Sequence, residues 1–172
     1  DCDFNKYKIL IAPMLYMIRP GVAQRIEAFV ENGGIFVTTY WSGIADENDL
    51  CFLGGFPGPL RKVLGIWSEE LDSLYNEDKN YIKFLDKNEF SLNGAYEARL
   101  YCDLIHSETA EVLAVYQEDF YKGRPALTVN NYGKGKAYYI ASRNEDAFTF
   151  EFLNRLFDNS HINKAIDANL PL

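Results

Sequence analysis

The stretch "KILIAPMLYMIRPGVAQRIEAFVENGGIFVTT", residues 8–39, decides the fold. Its first five residues form a short apolar run closed by Pro13, the pattern of a strand buried on both faces. After Pro20, which suits a first helical turn, Val22, Ile26, Phe29 and Val30 recur at helical spacing. Gly33 and Gly34 supply a left-handed stop. Residues 35–39, "IFVTT", are β-branched and apolar, a second buried strand. Strand, helix and strand within about thirty residues make a βαβ unit with parallel strands and a right-handed crossover.

Downstream the pattern changes. "LRKVLGI" after Pro59 is a short helix, and "YIKFL", "EARLYCDLI" and "AEVLAVYQ" alternate partially, as strands do. "PALTVNNYGKGKAYYIAS" places two strands about a Tyr-Gly-Lys-Gly turn, a hairpin signal. In "EDAFTFEFLNRLFDN", residues 145–159, Phe148, Phe152, Leu153, Leu156 and Phe157 share one face of a closing helix. The order fits one α/β layered domain over residues 1–172, with an antiparallel addition and an exit at "IDANLPL" toward a following module. The chain opens on "DCDFNKYKILIAP" without methionine, so we expect a piece of a longer polypeptide in which a missing leader carries no information.

Composition narrows the function. At 172 residues, 48% of them hydrophobic, the chain can bury roughly 70% of its unfolded surface and build a core without staples. No segment reaches the about 18 unbroken apolar residues of a membrane span. A net charge of −8 with dispersed basic residues argues against nucleic acid. Cys2, Cys51 and Cys102 are odd in number and widely spaced, as reduced thiols in a cytoplasmic protein would be. His106 and His161 lie far from each other and from any Cys-x-x-Cys pair, so neither a structural metal site nor a cofactor is expected.

The candidate chemistry thins out under inspection. Cys51 follows the acidic "DENDL", which disfavours a thiolate, and has no histidine nearby in sequence, so we expect a buried or half-buried structural cysteine. Cys102 lies in an apolar strand pattern and belongs to the core. Ser42 follows a strand as a nucleophile elbow would, but Tyr40 stands where Gly-x-Ser-x-Gly needs glycine, leaving a loop serine. "NNYGKGK", residues 130–136, leads into a strand rather than a helix and lacks phosphate-loop spacing, and "GGFPG" lacks a preceding strand. The carboxylate pairs Asp46 and Glu47, and Glu69 and Glu70, are sequence neighbours that define no sugar cleft.

Together, "YKILIAPMLYMI", "AFVENGGIFVTTYWSGIADEND" and "GGFPGPLRKVLGIWSEELDSL" closely resemble the middle, trimerisation domain of glycoside hydrolase family 42 β-galactosidases. The resemblance implies a flavodoxin-like, class I glutamine amidotransferase-like three-layer sandwich that has lost the nucleophile. It also implies a chain without catalytic residues of its own, whose parent cleaves terminal β-galactosides with retention through two glutamates in a preceding (β/α)8 barrel. Partners implied are two further copies in a trimer, that barrel, and a smaller β domain that follows. The strand, helix and strand that usually open the family domain are missing here, which would leave a sheet edge uncovered. Within "YWSGIADENDLCFLGGFPGPLRKVLG", residues 40–65, prolines and glycines fix a shape. Trp41, Phe52, Phe56 and Pro57 are expected to offer apolar contact area to a neighbouring subunit or domain, with Arg61 as a polar anchor. Two other readings stay open: a carbohydrate-binding module, from the Trp and Tyr content, and a thiol amidohydrolase using Cys51 or Cys102.

Overall fold

The two apolar runs become β1 (Ile9–Ala12) and β2 (Ile35–Thr39) in the computed structural model, which describes residues 2–162. They pair in parallel from Ile9 opposite Ile35 to Ala12 opposite Thr38, with α1 (Val22–Glu31) as the crossover. Ile26, Phe29 and Val30 of α1 are buried, as the spacing requires, and Gly33 at φ +109 turns the chain out of the helix. The "IDANLPL" exit lies outside the described residues.

The remaining elements are α2 (Arg61–Leu64), β3 (Ile66–Ser73), β4 (Asn80–Phe84), β5 (Ala95–Ser107), β6 (Glu111–Tyr116), β7 (Pro125–Tyr132), β8 (Gly135–Ile140), β9 (Ser142–Asn144) and α3 (Asp146–Asn159). Among the described residues the strands form one sheet, ordered β1-β2-β8-β7-β6-β4-β5-β3, with β9 attached to β5. Only β1 with β2 and β2 with β8 are parallel; the other pairs are antiparallel. The result is a mixed α/β sandwich whose antiparallel part outweighs the parallel unit read from the first forty residues.

Register assigns the layers. In the β7–β8 hairpin Thr128 faces Tyr139, Asn130 faces Ala137 and Tyr132 faces Gly135, so these residues share one side of the sheet. Asn130 donates to the Val63 carbonyl of α2 at 2.9 Å, and the Tyr132 hydroxyl meets Glu27 of α1, which puts both helices on that side. The opposite side carries Val129 and Tyr138, and there α3 docks through aromatic side chains. Phe152 meets Phe90 at 5.1 Å and Tyr138 at 5.8 Å between centroids, and Phe148 meets Tyr96 at 5.4 Å. Phe148, Phe152 and Leu156 are buried, while Leu153 and Phe157 on the same face are half-buried.

Two expectations change. β1 is not buried on both faces: its residues are half-buried or, at Ile11, 40% exposed, and among the described residues it is an edge of the sheet. The short helix expected in the run after Pro59 ends at Leu64, a 3-10 turn over Gly58–Leu60 leading into α2; Gly65 then takes φ +64 and the chain enters β3, a strand that the acidic sequence "SEELDS" conceals.

Candidate functional site

The segment from Tyr40 to Leu60 leaves the carboxyl end of β2, where open α/β sheets gather ligands. Its root is fastened by hydroxyls. Ser42 is 1% exposed; its Oγ donates to the Thr39 carbonyl at 2.7 Å, accepts the Leu15 N–H at 2.9 Å and lies 2.7 Å from Thr38 Oγ1. Thr38 in turn donates to the Ala12 carbonyl at 2.7 Å. A serine whose proton is committed to the Thr39 carbonyl and whose oxygen takes the Leu15 N–H joins the chain after β1 to the loop, a fastening role with no base beside it. Gly43 at φ +68 passes so close to the Pro57 carbonyl that a Cβ there would lie 2.1 Å from the oxygen. Farther along, the loop pairs with β3, the Ser68 N–H donating to the Phe56 carbonyl at 2.8 Å.

The expected contact residues divide among different tasks. Trp41 is half-buried at φ +54, between Tyr16 at 5.9 Å and Tyr101 at 5.7 Å. Phe52 and Phe56 are half-buried, Phe52 against the core. Pro57 is buried within its own domain, because Gly43 and the loop root close over it, and so offers no contact area. Arg61 already makes a two-pronged pair with Glu108, Nε to Oε2 at 2.9 Å and NH2 to Oε1 at 2.6 Å, and lies over the Trp67 ring. The apolar surface the loop does present is Leu50, 64% exposed, and Leu53, 99% exposed. Neither residue stood out in the sequence, since leucine near a tight turn has no signature of burial or exposure.

Beside Arg61, His106 stacks on Trp67 at 4.4 Å and meets Glu69 at 2.7 Å and Arg124 at 3.1 Å. Glu69 and Glu70 therefore part company: Glu69 joins this cluster, while Glu70 lines a cavity on the loop side. Asp46 caps a turn, its Oδ1 accepting the N–H groups of Asn48 and Leu50, so it forms no catalytic pair with Glu47. Cys51, expected to be buried or half-buried, is exposed, because residues 45–51 project as a small turn closed by an Ala45–Cys51 bridge. Cys102 is fully buried, and burial pushes its thiol up to about 12.

Sequence reading missed Asp103 altogether. It is 2% exposed on β5; its Oδ2 accepts the Trp41 N–H at 2.9 Å and the Tyr139 hydroxyl at 2.5 Å. Burial pushes its carboxyl up to about 6, against the pull of those two donors. Among the described residues no group of three or more His, Cys, Asp or Glu could hold a metal ion, and no helix is long and apolar enough to cross a membrane.

Fold and site define a flavodoxin-like α/β module in which Ser42 serves as a fastener and Cys102 as core, while Cys51 stands exposed on a surface turn. Residues 1–163 match the family model described as the beta-galactosidase trimerisation domain, and the chain belongs to that family. The β-galactosidase Pbg of Clostridium perfringens is 64% identical over 171 residues, covering 99% of this chain and 25% of that protein. The β-galactosidase BglY of Alicyclobacillus acidocaldarius is 54% identical over 165 residues, 96% of this chain and 24% of its own length. The crystal structure of a cold-adapted β-galactosidase from a Rahnella species superposes with a TM-score of 0.97 at 55% identity, over 99% of this chain and 25% of that one. The chain thus spans about a quarter of the proteins it matches. Nothing in the geometry or these likenesses favours a sugar-binding module or a thiol amidohydrolase.

Proposed function

We propose that residues 1–172 form a single assembly domain of a β-galactosidase, bringing three copies of a longer polypeptide together while other parts of that polypeptide carry the hydrolytic residues. The family match over residues 1–163 carries the reading. The parent we assign is a β-galactosidase, as its relatives are named; the family resemblance further implies cleavage of terminal β-galactosides with retention, by two glutamates in a preceding barrel, with a smaller β domain after this one. Three free thiols at positions 2, 51 and 102 suit the cytoplasm, the compartment we assign.

The contact surface we assign is the loop after β2: Trp41, Phe52 and Phe56 as half-buried support, Arg61 at the flank, and Leu50 and Leu53 at the tip. A cyclic trimer joins two different patches, so a stiff protruding loop on one copy has to meet a receiving surface on the next. Light scattering of the longer protein at micromolar concentration tests this. A mass of three copies is expected, and a monomer overturns it.

A further inference from the structure

Past the carboxyl ends of β2 and β8 lies a cavity of about 80 Å³, closed on one side by Trp41 and Phe56 of the loop and on the other by β3 and β5. Two carboxyl side chains line it, Asp103 and Glu70. Asp103 is 2% exposed, yet among the described residues no donor reaches its Oδ1 and no basic side chain pairs with it. Carboxylates buried this deeply are ordinarily paired, because an ionised group that leaves water without a counter-charge gives up its hydration uncompensated. The register slip between Ser68 and Glu70 lets β3 turn Ser68, Glu70 and Leu71 toward the same space.

Size and lining select the ligand. At ~30 Å³ per water molecule the cavity holds the head of a guanidinium or an ammonium but no sugar ring or nucleotide. Aromatic walls beside carboxylates attract such cations both through the ring quadrupole and through charge-assisted hydrogen bonds. Two carboxylates with aromatic walls are a poor donor set for a divalent metal, which asks for six or more oxygens.

We propose that this cavity receives the guanidinium or ammonium group of a basic side chain from a second copy of the chain, with Asp103 as its charge partner and Trp41 and Phe56 as its walls. The proposal rests on the assembly reading, in that the loop forming the wall is the one assigned to the subunit contact, and a heterologous contact needs a pocket on one copy and a protrusion on the next.

Methylguanidinium chloride, added at constant ionic strength to the 172-residue chain, is the probe, read by the backbone amide signal of Trp41. A saturable shift with a midpoint on the order of 1–10 mM is expected. It should vanish in Asp103→Asn and weaken several-fold in Glu70→Gln, the second variant being at an exposed position that leaves the loop's own hydrogen bonds intact. Equal or linear shifts in all three overturn the receptor. Sedimentation of the longer protein then identifies the source of the cation. Dissociation of the trimer by either substitution and by methylguanidinium supports a side chain of the second copy. Saturable binding with an undisturbed trimer overturns that source in favour of a free amine. A protein that is monomeric in every form, yet binds the probe, overturns the assembly reading and the second-copy source while leaving the cavity's chemistry intact.

Discussion

Asp103 Oδ2 accepts the Trp41 N–H at 2.9 Å across 62 positions of sequence, tying the loop after β2 to the middle of β5. Trp41 needs the tie because its φ of +54 is a conformation that a large side chain avoids. The same carboxyl takes the Tyr139 hydroxyl from β8, so one side chain joins three elements.

That carboxyl gives stability a pH signature. Its pKa rises from 3.8 to about 6 on folding, so the folded chain holds the proton more tightly than the unfolded chain. The stabilisation this represents is complete below about pH 4 and is lost as pH rises through about 6. Glu27, Glu97 and Glu108, held low by Lys62, Arg99 and Arg61, act in the opposite sense as pH falls below the usual glutamate range. Asp103→Asn leaves those three unchanged and isolates the effect. Urea unfolding at pH 4 to 7 should show the wild type losing stability relative to the variant over that interval, and parallel curves would refute the assignment.

Gly43→Ala should destabilise the chain strongly, by roughly 2–4 kcal/mol, since left-handed backbone strain adds to collision with the Pro57 backbone. Gly54→Ala, at φ +93 with nothing within 4 Å of the new Cβ, should cost only the backbone preference, about 1–2 kcal/mol. Chemical denaturation of the two variants side by side measures the difference.

Phe56→Ala combined with Arg61→Ala should weaken subunit association about tenfold, read by sedimentation of the longer protein. Both Arg61 and Glu108 have well-exposed side chains, at 40% and 37%, so loss of their pair should leave the thermal midpoint close to wild type. An undisturbed trimer would restrict the loop to its own domain.

Phe152→Ala should cost about 3–5 kcal/mol, because the ring is 1% exposed and contacts Phe90, Tyr138 and Phe148 together. The loss should appear in the urea midpoint.

Iodoacetamide at pH 8 should label Cys2 and Cys51, both exposed, and spare Cys102 until the chain unfolds. Burial removes Cys102 from the reagent and pushes its thiol up to about 12. Peptide mass spectrometry before and after urea reads the sites, and native labelling of Cys102 would contradict the packing around β5.

The sequence exposes those parts of the fold whose physics is local. β1, α1, β2, the β7–β8 hairpin and α3 follow from apolar spacing and turn residues. β3 escapes because it is an edge strand with a bulge, so its outward acids interrupt the alternation by which strands are recognised. β9 is three residues long, too short for any period. The site was legible only as a loop with a fixed shape. Pro57 looked like surface because burial of a loop proline depends on which chain segment crosses it. Asp103 drew no notice within its apolar strand, since its role exists only through Trp41 and Tyr139, both distant in sequence.

The Ser42 hydroxyl has a consequence for what this fold can become. Three polar neighbours, one of them the Leu15 amide on the chain leaving β1, meet at a single oxygen. Installing reactivity at that position would first require unfastening β1, the strand already at the sheet's open edge. Freeing this oxygen for chemistry and keeping the loop anchored are therefore opposed demands on one side chain.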